Sequence, residues 1–138
     1  MEVSLENVNS VQKKIRPYVT VKIDDNVAEK LKETGWNING IFTYGFYLLS
    51  GEAPPTLKML CKKFNIDINI AREKYLEVLK EAIKRGRMIY EKTLSSIVVY
   101  LLGNGRISQT EIAKSGGATP PSIYATIKEL NLEEQKWW

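Results

Sequence analysis

The stretch that most constrains the fold is residues 37–50, which contain no charged side chain. Its apolar residues lie on nearly every side of a helix with 3.6 residues per turn, so almost no polar face remains. A helix of this kind must be buried, and we expect it to pack against a partner chain. Asn37 or Asn39 is predicted to cap its N-terminus, and Gly51 with Pro54-Pro55 ends it.

Residues 18–24 predict a half-buried strand, because apolar and polar side chains alternate along them. Asp24 or Asp25 then caps a helix that ends at Gly35. A single strand beside two helices cannot satisfy its edges, so we expect it to pair with the same strand of a second chain. One strand face carries Val19, Val21 and Ile23, and the other carries Tyr18, Thr20 and Lys22.

Glycine and proline residues divide the rest of the chain into short helices. Ser108 with Glu111 forms a capping box, and Thr119 caps a helix whose first residue is Pro120. The predicted fold class is mainly α, with one N-terminal strand in an intersubunit two-stranded ribbon and tandem helix-turn-helix segments. The predicted helices after residue 51 cover 56–64, 68–85, 93–102, 108–115 and 120–130, with a short strand at 87–91.

A weak internal repeat supports the tandem organisation. When the sequence is shifted by 52 residues, Leu60 falls on Ile112 and Val78 falls on Leu130. Each copy also follows a helix that contains Tyr-Leu-Leu, at 47–49 and 100–102. The predicted segments are a flexible basic arm (1–16), a dimerisation and DNA-binding unit (17–51), a basic helix-turn-helix-like segment (52–91) and a C-terminal helix-turn-helix (92–138).

The composition excludes much enzyme chemistry. The chain has no histidine and a single cysteine, Cys61, so neither a His-dependent nucleophile nor a thiolate zinc cluster can form within it. No glycine-rich phosphate loop is present, and we expect neither a cofactor nor a metal. The polar, acidic start is unlike a signal peptide, and no stretch is long and apolar enough for a membrane span. We therefore expect a non-enzymatic cytoplasmic protein.

The net charge of +4 is concentrated in the middle of the chain. Residues 1–51 hold six basic and six acidic side chains, and residues 93–138 hold four of each. Residues 52–92 hold ten basic and six acidic side chains, and such a basic centre suits a polyanion such as DNA. A solvated helix face is the alternative. The residues predicted to contact phosphate without an acidic neighbour are Lys62, Lys63, Arg85 and Arg87.

The order of strand, helix, Gly35 and a second helix that includes Gly45 resembles the ribbon-helix-helix family of the MetJ/Arc type. The resemblance covers about a quarter of the chain. It implies a dimer whose two-stranded ribbon enters the major groove of DNA. It also implies that the outward strand face reads bases through Tyr18, Thr20 and Lys22. Phosphate would bind at the start of the second helix, at Asn37, Asn39 and Gly40.

The segment from Ile107 to Leu130 resembles the helix-turn-helix core of winged-helix regulators. The resemblance implies that Ser122 and Tyr124, near the start of the second helix, contact bases or phosphates. The segment is electrically neutral, and the sequence up to Trp138 shows no wing hairpin after this helix. Contact with DNA and contact with a protein partner both remain open for it.

Together these patterns favour a homodimeric, sequence-specific DNA-binding protein that acts as a transcriptional regulator or in replicon control. The first alternative is an architectural or partition protein that coats DNA with little sequence preference. The second is a protein-interaction adaptor that uses its helix-turn-helix segments for packing.

Overall fold

A computed structural model describes residues 2–6 and 18–132 of the chain. In this part the fold is mainly helical with an N-terminal strand at residues 18–22, as the sequence predicts. A second strand precedes it. The elements are β1 (Glu2–Glu6), β2 (Tyr18–Lys22), α1 (Asp25–Thr34), α2 (Ile38–Ser50), α3 (Pro55–Phe64), α4 (Ile68–Lys84), α5 (Glu91–Gly103), α6 (Gln109–Gly116) and α7 (Pro120–Glu129).

The two strands form an antiparallel hairpin within one chain. In its register Glu2 pairs with Lys22 and Glu6 pairs with Tyr18. The ribbon is therefore completed by residues 2–6, which corrects the prediction that its second strand comes from another chain. It also corrects the assignment of these residues to a flexible arm. The basic cluster Lys13, Lys14 and Arg16 lies outside the described residues.

The helix boundaries follow the local signals in the sequence. The side chain of Asn37 caps α2, Ser108 accepts a hydrogen bond from the backbone N–H of Glu111, and Thr119 caps α7. Asp24 precedes α1 but makes no side-chain capping bond. Residues 87–90 form no strand, and α5 begins directly after them. The predicted strand at 87–91 is therefore wrong, because no other strand lies beside it among the described residues.

One hydrophobic core joins α3 to α7, and α5 runs through its centre. Eight of the thirteen residues of α5 are buried, and seven of these lie between Leu94 and Leu101. The Glu91 carboxylate at the start of α5 accepts hydrogen bonds from Thr56 N and Oγ1 and from Ser95 Oγ, at 2.8, 2.7 and 2.9 Å. These bonds hold the N-terminus of α3 against α5, where α3 has no side-chain cap of its own.

The helical part contains the predicted repeat. α4 begins at Ile68 and α7 at Pro120, which are 52 residues apart. Each follows a three-residue turn whose first residue, Asn65 or Gly117, has a positive φ. The residues that match at this shift are buried in both copies: Leu60 and Ile112, Cys61 and Ala113, Ala71 and Ile123, Tyr75 and Ile127, Val78 and Leu130.

The helices that precede these two pairs also match each other. α2 and α5 both have 13 residues, contain Tyr-Leu-Leu, and end at a residue with positive φ, Gly51 and Asn104. We call α2–α4 the first repeat and α5–α7 the second repeat.

Within residues 2–6 and 18–132, no helix combines the length and the apolar character that crossing a membrane requires.

Candidate nucleic-acid interface

The second repeat has the arrangement of a helix-turn-helix unit. The eight-residue α6 and the ten-residue α7 are joined by a three-residue turn and pack against each other, and α5 supports both. Gly117 begins the turn with φ 78°, a conformation that glycine adopts at no steric cost. A turn of this length with a glycine is typical of helix-turn-helix units, whose second helix enters the major groove.

α7 buries one face and exposes the other. Ile123, Thr126 and Ile127 are buried. The exposed side, which we call the α7 face, consists of Pro121, Ser122, Tyr124, Ala125, Lys128 and Glu129. It therefore includes both residues predicted to contact bases in this segment.

The polar groups of the α7 face are held in place. The Ser122 and Thr119 hydroxyls are 2.7 Å apart, so the two share a hydrogen bond. The Lys128 ammonium lies 5.6 Å from the centre of the Tyr124 ring, within the range of a cation–π contact. A hydroxyl has one donor and two acceptor sites, so Ser122 keeps capacity for a further bond.

Two lysines from other helices lie beside the last turn of α6 and the turn that follows it, and we call them the turn lysines. Lys63 of α3 donates from Nζ to Ser115 Oγ at 2.7 Å. Lys92 of α5 runs along Gly117, where an added Cβ would lie 3.2 Å from its Cδ and 3.7 Å from its Nζ. Lys114 adds a third exposed cation in the last turn of α6. The neutral C-terminal segment thus acquires positive charge from the basic middle of the chain.

The structure separates the four cations that were predicted to lack acidic neighbours. Arg87 forms an ion pair with the Glu129 carboxylate at the end of α7. Arg85 lies 3.9 Å from a carboxylate oxygen of Glu81 and donates to the backbone oxygen of Glu129 at 3.0 Å. The expectation that these arginines are free is therefore wrong. Lys62 and Lys63 are exposed and form no ion pair within the described part of the chain.

The hairpin contains three of the residues that the sequence predicts to contact bases. Thr20 and Lys22 are exposed, as predicted for base contacts, whereas the side chain of Tyr18 lies outside the described part. Positions that pair in an antiparallel ladder share one face. In this ladder Lys22 pairs with Glu2 and Tyr18 pairs with Glu6.

The start of α2 is occupied by contacts within the chain. The N–H of Gly40 donates to Asn37 Oδ1 at 2.8 Å, and the N–H of Asn37 donates to the backbone oxygen of Ile83 at 3.0 Å. Gly40 is buried, and a Cβ there would lie only 2.6 Å from Ile83 Cγ1. Gly40 is therefore needed for close packing of α2 on α4, and its contact with a phosphate stays a prediction. Asn39 is half-buried, and its backbone oxygen accepts from Thr43 Oγ1.

The opposite side of α2 is an exposed apolar surface, which we call the α2 groove. It encloses an open volume of about 640 Å³. Phe46 is 58% exposed and Leu49 is 88% exposed. Its lining residues are Ile41, Phe42, Gly45, Phe46, Leu49 and Ser50. α2 is therefore covered on one face by α4 of its own chain and is otherwise largely exposed, whereas its burial against a partner chain stays a prediction.

The groups that carry covalent or metal chemistry in other proteins are poorly placed for it in the described residues. Burial, with a smaller contribution from the charge of Asp67, raises the pKa of the Cys61 thiol to about 11, so it stays protonated at neutral pH. Burial also raises the pKa of Tyr75, with Glu91 and Tyr47 adding to the shift. No cluster of three or more metal-ligating side chains is found in residues 2–6 and 18–132.

Lys92 and Lys114 are the members of this surface that sequence reasoning missed. Lys92 was counted in the basic middle, whereas the turn it approaches is 25 residues further along the chain. The repeat could have predicted the position of Lys92, since it places the start of α5 beside the helix-turn-helix that follows.

Comparisons with protein-family models, with curated proteins and with solved structures each found no match. Function is therefore inferred from this chain alone.

Proposed function

We propose that the protein is a cytoplasmic, dimeric DNA-binding regulator that reads the major groove mainly with the α7 face. The observation that carries the proposal is the position of the turn lysines. Lys63 and Lys92 come from α3 and α5, yet they lie beside the last turn of α6 and the turn that precedes an exposed helix with a hydroxyl and an aromatic side chain. Cations beside a recognition helix fix its register on phosphates, and the helix face then contacts base edges.

The charge around the α7 face is consistent with this role. Glu129, the acidic residue at the end of α7, is paired with Arg87 and is electrostatically compensated. Lys128 and the turn lysines are exposed and form no ion pair within the described residues. Each lysine that meets a phosphate releases about one counterion, so this surface makes binding depend on salt.

The dimer rests on the α2 groove. α2 carries no charged residue, so two copies approach each other without electrostatic repulsion. Gly45 lies in the groove, and no atom of the described residues lies within contact distance of an added Cβ there. The exposed Phe46 and Leu49 beside it provide the ridges for the same groove of a second copy, which gives a self-complementary contact. From the resemblance to ribbon-helix-helix proteins, this proposal keeps only the expectation that the chain forms a dimer.

A selection of bound duplexes from a random pool, repeated with variants, tests the DNA contact. We expect the wild type to recover an inverted repeat. Ser122→Ala with Tyr124→Ala should relax the preference at defined positions by about 1–3 kcal/mol per base pair. The matched control is Thr20→Ala with Lys22→Ala on the hairpin, which should leave the recovered motif unchanged. A motif that depends on the hairpin variant and ignores the α7 variant would contradict the proposal.

Sedimentation of Phe46→Ser with Leu49→Ser tests the dimer separately. We expect the wild type to sediment as a dimer and the variant as a folded monomer, because the substitutions remove apolar area from an exposed surface only. A wild-type protein that stays monomeric at high concentration would contradict the dimer. In that case the α2 groove favours the second candidate function, an adaptor that binds another protein.

A further inference from the structure

A pocket of about 290 Å³ lies between the α1–α2 connection, α2 and α4. It shares Ile41 with the α2 groove, but Phe46, Leu49 and the residues of the α7 face do not line it. The residues around it are Trp36, Ile41, Tyr44, Lys80, Ile83 and Lys84.

The walls of the pocket are apolar and aromatic. Ile83 is 5% exposed and belongs to the core, whereas Ile41 and Tyr44 are half-buried beside it. Trp36 is 40% exposed, so part of the large apolar surface of its indole ring faces solvent. A flat apolar molecule in this space would cover the tryptophan ring that the chain leaves open.

The rim of the pocket is cationic. Lys80 and Lys84 are one helical turn apart on α4, so both side chains lie on the same side of that helix. Both are exposed, and neither forms an ion pair within residues 2–6 and 18–132. Two uncompensated ammonium groups at the edge of an aromatic pocket select for an anionic group on the occupant.

Contacts within the chain hold the walls of the pocket in place. The N–H of Asn37 is hydrogen-bonded to the backbone oxygen of Ile83, and Gly40 packs against the Ile83 side chain. Gly86 approaches the backbone oxygen of Gly35 closely, which fixes the end of α4 against the α1–α2 connection. A preformed site avoids the ordering cost of binding.

We propose that this pocket binds a small, flat, aromatic molecule that carries a carboxylate or another anionic group. The ring lies between Trp36 and Tyr44, above Ile83, and the anion meets Lys80 and Lys84. The volume is at the lower end of that of ligand pockets, so the occupant is smaller than a typical drug. This site does not depend on whether the chain binds DNA.

The test is a titration of the full chain with 1-naphthoate. Binding is monitored through the indole N–H signal of Trp36 in ¹H–¹⁵N spectra. The signal is assigned with Trp36→Phe. We expect a saturable shift with 1-naphthoate and a much weaker response to the neutral 1-naphthamide. Lys80→Gln with Lys84→Gln should weaken 1-naphthoate binding about tenfold, as expected for the loss of two exposed charge contacts.

Two controls separate this pocket from other surfaces. Lys30→Gln with Lys32→Gln removes two exposed lysines of α1 and should leave the affinity unchanged. Phe46→Ser should also leave it unchanged, because the Phe46 ring lines only the α2 groove. The proposal is overturned if the Trp36 signal does not move, if naphthoate and naphthamide bind equally, or if the signal responds to a DNA duplex and not to naphthoate.

Discussion

The two repeats share a three-helix pattern but bury different helices of it. In the second repeat α5 has eight buried residues and α7 has a fully exposed face. In the first repeat α4 has eight buried residues, and α2 has one, Gly40. The first repeat therefore exposes its first helix, whereas the second exposes its third. One pattern thus leaves an apolar surface exposed at one end and a polar surface with exposed lysines at the other.

The third helices of the two repeats differ in what their cations contact. The Arg72 guanidinium of α4 donates to the backbone oxygens of Tyr47 and Glu52 and so caps the end of α2. Lys74 is buried and paired with Glu77, and burial lowers its pKa. The cations near the start of α4 are therefore committed to the fold. Those around α7 remain on the surface.

The largest expected effect compares the same leucine in the two Tyr-Leu-Leu helices. Leu101 is 9% exposed in α5, and its counterpart Leu48 is 51% exposed in α2. Leu101→Ala should lower the free energy of unfolding by about 2–5 kcal/mol, because it leaves a cavity in the core. Leu48→Ala should cost less than about 1 kcal/mol. Urea unfolding of both variants checks this, and similar losses would mean that α2 is as buried as α5.

Two glycines of α2 distinguish its covered face from its open face. Gly40→Ala should cost about 1–3 kcal/mol, because the new methyl group meets the stiff, buried Ile83 side chain. Gly45→Ala should instead add about 0.5–1 kcal/mol, since it replaces glycine inside a helix and meets nothing. Both are measured by urea unfolding in the monomeric Phe46→Ser, Leu49→Ser background. If both substitutions change the free energy of unfolding in the same direction, the two faces of α2 do not differ in their packing.

The smallest expected effect on stability concerns Cys61, whose counterpart in the second repeat is Ala113. The pKa of Cys61 is raised from 9.0 to about 11 in the folded protein, so the unfolded chain loses this proton first. The stabilisation is present below pH 9 and is lost as the pH rises towards 11. Between pH 8 and pH 10.5 the free energy of unfolding should fall less in Cys61→Ala than in the wild type. If it falls equally in both proteins, groups other than Cys61 cause the pH dependence of stability.

The sequence signals were reliable where the physics is local. Asn37, Ser108 and Thr119 were recognised as caps because a short polar side chain is needed before the first helical turn. The repeat was visible because buried positions recur at a fixed spacing. The pairing of β1 with β2 was missed, since strand pairing joins segments far apart in sequence and residues 2–6 carry no turn signal of their own. The pairing of Arg87 with Glu129 was missed for the same reason.

The most direct test of the account is the salt dependence of DNA binding in Lys63→Gln with Lys92→Gln. Each phosphate contact contributes about 0.9 to the slope of log K against log salt, so losing the two turn lysines should reduce the slope by about 1.8. The matched variant Lys30→Gln with Lys32→Gln on α1 should keep the wild-type slope. The account is contradicted if the turn-lysine variant retains the full slope, because the α7 face would then not be where the chain meets DNA.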